Sequence, residues 1–259
     1  MHSLIQTFHG ENLKLYARPS TRIMIAALSM AALFATITDR LFSPMRLGFW
    51  DAVAGQSWVL ILVMIFAIVA AGGIVANEFA WGTIKLLLVH PVSSGRILAA
   101  KYLAVAAFVL ALMSLLLLIL VFLNGLDLAL GGGAAGAAAK AGSFETLGDV
   151  LVYYLLRFAQ IFVYAAIALM LSAVSRSNAF AIGASFFAML LGPELGDVLA
   201  GTSWSRYILF NHINLTVYMN AGSTEGGSGL GYSLLVIGVY LAIFHAVAWM
   251  AFAKRDVLA

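Results

Sequence analysis

Three groups of residues in this chain have types and spacings that suit a working site. In the first, Glu78, Gly82 and Lys85 fall at i, i+4 and i+7, on one helical face, and Phe79, Ile84, Leu87 and Leu88 line another. That is a short amphipathic helix, stopped by Pro91 and followed by Ser93 and Ser94, either of which suits the cap of the next helix. In the second, Tyr153, Arg157, Gln160 and Tyr164 recur at i, i+4, i+7 and i+11 within an apolar helix. A charge in such a helix is costly and rarely faces lipid. This face is read as the wall of a substrate path or a seam between two subunits, or else as an arginine reaching up to the headgroups, with Tyr153 against the guanidinium. The third is Glu194 and Asp197 beside Gly192-Pro193, where an apolar run breaks, which makes them candidates for substrate contact.

Reaction chemistry is poorly represented. No H-E-x-x-H pair and no paired aspartates inside apolar runs occur, and there is no cysteine to serve as nucleophile or thiolate ligand. Gly55-Gln56-Ser57-Trp58 puts a serine near a glycine, but no partner histidine is evident. The glycine-rich stretch at 131–142 ends in Lys140-Ala141, so it lacks the glycine-lysine-serine/threonine ending of a phosphate loop and reads as a linker. His245 stands alone as a proton relay or a structural histidine. The methionines are spread over several helices as adaptable packing rather than grouped into a copper path.

The elements that must position these residues are membrane helices. The 259 residues are 63% hydrophobic and 10% charged, against about 45–50% and about 25% for a soluble domain. The apolar residues lie in long runs, which excludes a soluble enzyme, a disordered chain and a nucleic-acid module. Six spans are expected, near 22–38, 57–76, 96–123, 150–174, from 178 to Gly192-Pro193, and 231–252. Nine of the 14 Lys and Arg fall in segments that share a side with the N-terminus, which predicts both termini in the cytoplasm. Residues 2–20 mix Leu4, Ile5, Phe8, Leu13 and Leu15 with Glu11, Lys14 and Arg18 and suit a helix lying in the interface, ended by Pro19 before the first span, with a disordered tail as the alternative. Asn124 and Asp127 are expected to mark the end of the third helix. The fifth run, residues 178–191, is 14 long, too short to cross alone, so either it continues through Gly192-Pro193-Glu194 to about Ala200 or, the reading preferred here, it is topped by a segment dipping back into the membrane. The fold class is therefore all-α and polytopic, in one transmembrane domain, with an interfacial segment at 1–21 and a bundle at 22–253.

The stretch between the second and third spans reads E-FAW-GTIKLLLVHPVSSGR from Glu78 to Arg96. It resembles the E-x-x-x-G-T-[IL]-K-x-L-L-x-x-P-[VI]-[ST]-R pattern of membrane subunits of ABC transporters of the type-2 export class. Gly95 is inserted here and shifts Arg96 from the place of the pattern's arginine. The resemblance extends over the whole chain: interfacial helix, six spans and a Lys254-Arg255-Asp256 stub. It implies that the segment is a cytoplasmic coupling helix seated on a separate ATP-binding subunit, with Glu78, Phe79, Gly82, Thr83, Lys85 and Arg96 positioned for that contact. It implies two ATPase subunits carrying ATP and Mg, a second permease subunit, and a bacterial cytoplasmic membrane. This chain would itself bind no cofactor, metal or nucleic acid and catalyse nothing. The apolar walls suggest an amphipathic or hydrophobic cargo such as a peptide antibiotic, drug or lipid, with drug or antibiotic resistance as a role. Glu78→Arg is expected to uncouple transport without preventing insertion. The alternatives are an ion-gradient-driven transporter and a non-transporting scaffold or sensor.

Overall fold

The computed structural model describes residues 4–42, 48–80, 94–130, 144–199, 201–219 and 229–253. The described residues are helical, with no strand among them. In chain order the helices are α1 (Leu4–Ala17), α2 (Pro19–Phe42), α3 (Phe49–Gly55), α4 (Leu60–Ala80), α5 (Ser94–Ala129), α6 (Leu147–Ser175), α7 (Asn178–Val198), α8 (Phe210–Ile213) and α9 (Leu230–Ala253). Short 3-10 turns at Gln56–Val59, Ser205–Tyr207 and Leu215–Met219 join them. Among the described residues six helices are long and apolar enough to cross a membrane. The chain is an all-α, multi-pass membrane protein.

α4 and α6 form the centre. They pack on each other along their length, and each carries buried small residues, Ala67, Ala70 and Ala71 on α4 and Ala165, Ala168 and Ala173 on α6. Small side chains let two membrane helices approach closely, where van der Waals contact replaces the missing hydrophobic drive. The Ala76 N–H of α4 donates to Ser172 Oγ of α6 at 2.9 Å, a polar tie inside the same seam. α5, α7 and α9 also pack on α6, while α1 lies across α5 and α2. The most apolar stretch of α4 is 67% buried, whereas those of α2, α7 and α9 are 22%, 22% and 17% buried. These outer helices turn their Ile, Leu and Phe side chains to lipid.

The N-terminal helix ends at Ala17, just ahead of Pro19, as expected, and Pro19 itself opens α2, where its missing N–H costs nothing. Arg18 alone separates the two helices, and Thr21 closes the joint by donating from Oγ1 to the Leu15 carbonyl at 2.6 Å. Three other expectations about element ends are corrected. The second span does not stop at residue 76, because α4 continues through Ala80 and carries Glu78 in its last turn. The third span continues past Asn124 and Asp127 to Ala129. The fifth run does not break at Gly192-Pro193 and, of the two courses expected, takes the continuous one rather than the preferred dip: α7 is one helix to Val198 with Pro193 inside it. Proline removes only one backbone bond, and membrane helices accommodate that. The glycines beside it serve packing: Gly192 lies against the Phe210 ring and Gly196 against Asn211, leaving no room for a side chain.

Candidate functional site

The most polar buried point of the structure lies where α1, α4 and α5 meet. On α5, Ile97, Leu98, Lys101, Ala104, Val105 and Phe108 form one helical stripe, and all six are buried. Lys101 thus sits in the middle of an apolar face, with none of its surface exposed. All three of its ammonium protons are used. Nζ donates to Glu11 Oε2 at 2.8 Å, to Glu78 Oε1 at 2.7 Å and to the Ile74 carbonyl at 3.3 Å. Lys14 completes the cluster at 2.8 Å from Glu11 Oε1 and 3.3 Å from Glu78 Oε1. Two carboxylates from two helices therefore share two ammonium groups. This balance is what makes the burial tolerable.

Each charge in the cluster depends on the others. Burial alone would raise the Glu11 carboxyl, but the charges and hydrogen bonds of Lys101 and Lys14 outweigh it and hold Glu11 below its ordinary value. Burial would lower Lys14, and the hydrogen bonds and charges of Glu11 and Glu78 raise it instead. The cluster joins the N-terminal helix to both helices that flank residues 81–93. A displacement of either flank must carry α1 with it or break buried ion pairs.

The expected coupling residues divide accordingly. Glu78 is 7% exposed and turned into the fold, where it holds α4 to α5 and α1. Phe79 is in the last turn of α4, and its side chain lies outside the described residues, as do Gly82, Thr83 and Lys85. Arg96 is exposed in the first turn of α5.

A second polar site lies on α6. Arg157 donates from Nε to the Tyr153 hydroxyl at 3.1 Å and from NH1 to Gln160 Oε1 at 2.7 Å, with the guanidinium 5.3 Å from the Tyr153 ring centre. It lines a groove of about 230 Å³ between α4 and α6, with Ser57, Trp58, Leu60, Ile61, Met64, Gln160 and Ile161. Three members of the expected row thus come together. Tyr164 does not join them; it is 1% exposed in the core. Glu194 and Asp197 are exposed on α7 and do not line the groove.

Two further networks were not singled out from sequence. Gln56 is buried and exchanges hydrogen bonds with Asn124 of α5 at 2.8 and 3.2 Å, accepts from Thr36 Oγ1 at 3.1 Å and donates to Asp39 Oδ2 at 3.3 Å. Nearby, Arg40 pairs with Asp127 at 3.0 Å. Together these tie α2 to α5 at the end of the bundle opposite α1. His212, also buried, lies 2.8 Å from Ser233 Oγ of α9 through Nδ1 and 2.9 Å from the Arg206 carbonyl through Nε2. It anchors the 201–219 segment on α9. His245 has its ring 5.1 Å from that of Tyr102, edge on. Among the described residues no group of His, Asp and Glu could hold a metal ion.

Comparison with known proteins gives the lineage. Residues 21–258 match the profile of a family described as protein of unknown function (DUF2705). The chain is 36% identical over 220 residues to the uncharacterized protein YhcI of Bacillus subtilis (strain 168), which covers 80% of this chain and 69% of that protein. It is 28% identical over 210 residues to the uncharacterized membrane protein YdbK of the same organism, covering 76% of this chain and 78% of the relative.

Proposed function

The chain belongs to the DUF2705 family, and we propose that it is the membrane-spanning subunit of an ATP-driven exporter, coupled to a separate ATP-binding-cassette subunit. One observation carries this reading. The segment with the Glu78-to-Arg96 pattern is bracketed by Glu78 and Lys101, which are joined by a buried ion pair that also takes in α1. A push on residues 81–93 would therefore enter α4, α5 and α1 together as one body. α4 would pass it to α6 through their packed interface, which includes the Ala76–Ser172 hydrogen bond.

In this reading two ATPase subunits bind ATP and Mg on the cytoplasmic side, and this chain pairs with a second permease subunit in a bacterial cytoplasmic membrane, both termini inside. Sequence supports that orientation through its basic residues. Hydrolysis belongs to the partner, since no G-x-x-x-x-G-K-[ST] loop occurs in this chain. The cargo is amphipathic or hydrophobic, in keeping with walls of Leu, Ala, Val, Ile and Phe. Export of a peptide antibiotic, drug or lipid would confer resistance.

The buried position of Glu78 changes which substitution tests coupling. Glu78→Arg would put a third cation beside Lys14 and Lys101 and damage the fold, so its loss of transport would say nothing of the ATPase. Lys85→Glu is the cleaner probe. The protein is purified from native membranes in mild detergent, bound chains are identified by mass spectrometry, and ATPase activity is measured. A stoichiometric ATP-binding-cassette subunit, lost with Lys85→Glu while the permease remains inserted, is the expected result. A clean preparation without such a subunit, from membranes that contain them, would overturn the proposal.

A further inference from the structure

We propose that the groove at Arg157 binds the headgroup of an anionic phospholipid drawn from the surrounding leaflet, with the start of one acyl chain lying along α4. This site does not rest on the exporter reading.

The guanidinium has five N–H donors in a fixed fork. Its two hydrogen bonds go to neutral groups, Tyr153 and Gln160, and it forms no ion pair among the described residues. Its positive charge is therefore held in place but not neutralised. A membrane-embedded cation in that condition gains from an anion, and a phosphodiester matches the guanidinium fork in geometry and charge. Lysine and glutamate can answer each other across a protein core, as Lys101 and Glu78 do. Among the described residues Arg157 has no such answer.

The walls indicate where the anion comes from. Trp58 and Ile61 are 55% and 47% exposed on a spanning helix, so the groove faces the lipid side. Tryptophan favours the level of the headgroups, and Arg157 lines the same groove as Trp58. Ile61 and Met64 follow Trp58 at one and nearly two turns along α4, deeper toward the hydrocarbon. A polar group at the top and an apolar strip below it match the order of an amphiphile in a leaflet. The volume, about 230 Å³, falls short of the roughly 300–1,000 Å³ of a pocket that encloses a whole drug-sized ligand. It suits a headgroup and a short length of chain, the remainder staying in the bilayer.

Native mass spectrometry of the full chain in detergent, with equimolar phosphatidylglycerol and phosphatidylcholine, tests this. The wild type should prefer phosphatidylglycerol by about tenfold, the size of one charge-assisted contact. Arg157→Lys should keep part of the preference and Arg157→Gln should lose it. Met64→Trp, which fills the lower groove without altering its charge, should also lose the phosphatidylglycerol adduct. Equal binding of the two lipids by the wild type would overturn the proposal without reference to any variant. So would a preference that survives both Arg157→Gln and Met64→Trp. Abolition of the preference by millimolar inorganic phosphate would leave a simple anion pocket and also overturn the lipid assignment.

Discussion

Lys101→Met is the most informative single change in this molecule. Methionine keeps nearly the length and helix propensity of lysine, and the site is wholly enclosed, so the change removes a charge with little change in packing. What remains is a pair of carboxylates, Glu11 and Glu78, whose side chains are 4% and 9% exposed. Apart from the Arg18 charge, which acts on both carboxylates from beyond contact distance, Lys14 is the cation left to serve both. Its own side chain is 52% exposed, so water screens it and it cannot replace a fully enclosed partner. Removing one member of a buried ion pair costs about 3–5 kcal/mol, because the other is left buried and uncompensated. Domains are stable by about 5–15 kcal/mol, so a large share of the total is at stake. Adding Glu78→Gln to Lys101→Met leaves one carboxylate in contact with one ammonium, with the Arg18 charge also acting on it from beyond contact distance. The double variant should then recover about 1–3 kcal/mol relative to the simple sum of the two single changes. Reversible unfolding in mixed micelles, followed by tryptophan fluorescence, reads all four proteins of the cycle. A Lys101→Met protein within about 0.5 kcal/mol of wild type would refute the reasoning, because surface substitutions behave that way. Strict additivity of the two changes would refute it too, since it would mean that Glu78 and Lys101 do not depend on each other.

Two other outcomes follow from the same structure. The Glu11 carboxyl is held below its ordinary value of 4.5 and the Lys14 ammonium above its ordinary 10.5. The contribution of Glu11 is complete above its unfolded value and lost as pH falls through the lower folded one. That of Lys14 is complete below its unfolded value and lost as pH rises through the higher folded one. Hydrogen exchange of α1 amides, corrected for the intrinsic rate, should therefore show level protection between about pH 5 and pH 10 and loss on either side; a fall in protection between about pH 6 and pH 8 would contradict the cluster as described. At the other end of the bundle, Gly192→Ala places a methyl group into the Phe210 ring and should cost about 1–3 kcal/mol by overpacking. Gly183→Ala, on the same helix with nothing within 4 Å of the new atom, should be neutral or slightly stabilising in thermal melts.

Sequence carries the number and placing of the spans because hydropathy acts over about 20 residues and tolerates errors at the ends. It carries the Tyr153–Arg157–Gln160 group for a similar reason: these residues share one helix, and spacing alone brings them together. The ionic cluster is different. Its members come from three helices, and counting charges by loop assigns Lys101 to the cytoplasmic segment before the third span. A local signal was nonetheless present, since Lys101 occupies the same helical stripe as Leu98, Ala104, Val105 and Phe108. A charge in register with an apolar stripe faces the interior, and an interior charge requires an opposite one. On α1 the same test picks out Glu11, one turn from Phe8 and one from Leu15. It cannot pair the two, because the partner is chosen by tertiary packing between helices 90 residues apart. Glu78 shows the converse limit. Its spacing with Gly82 and Lys85 places all three on one helical face, but periodicity does not say whether that face looks out or in. Continuation of α4 to Ala80 turns Glu78 inward, toward Lys101, where it ties α4 to α5 and α1.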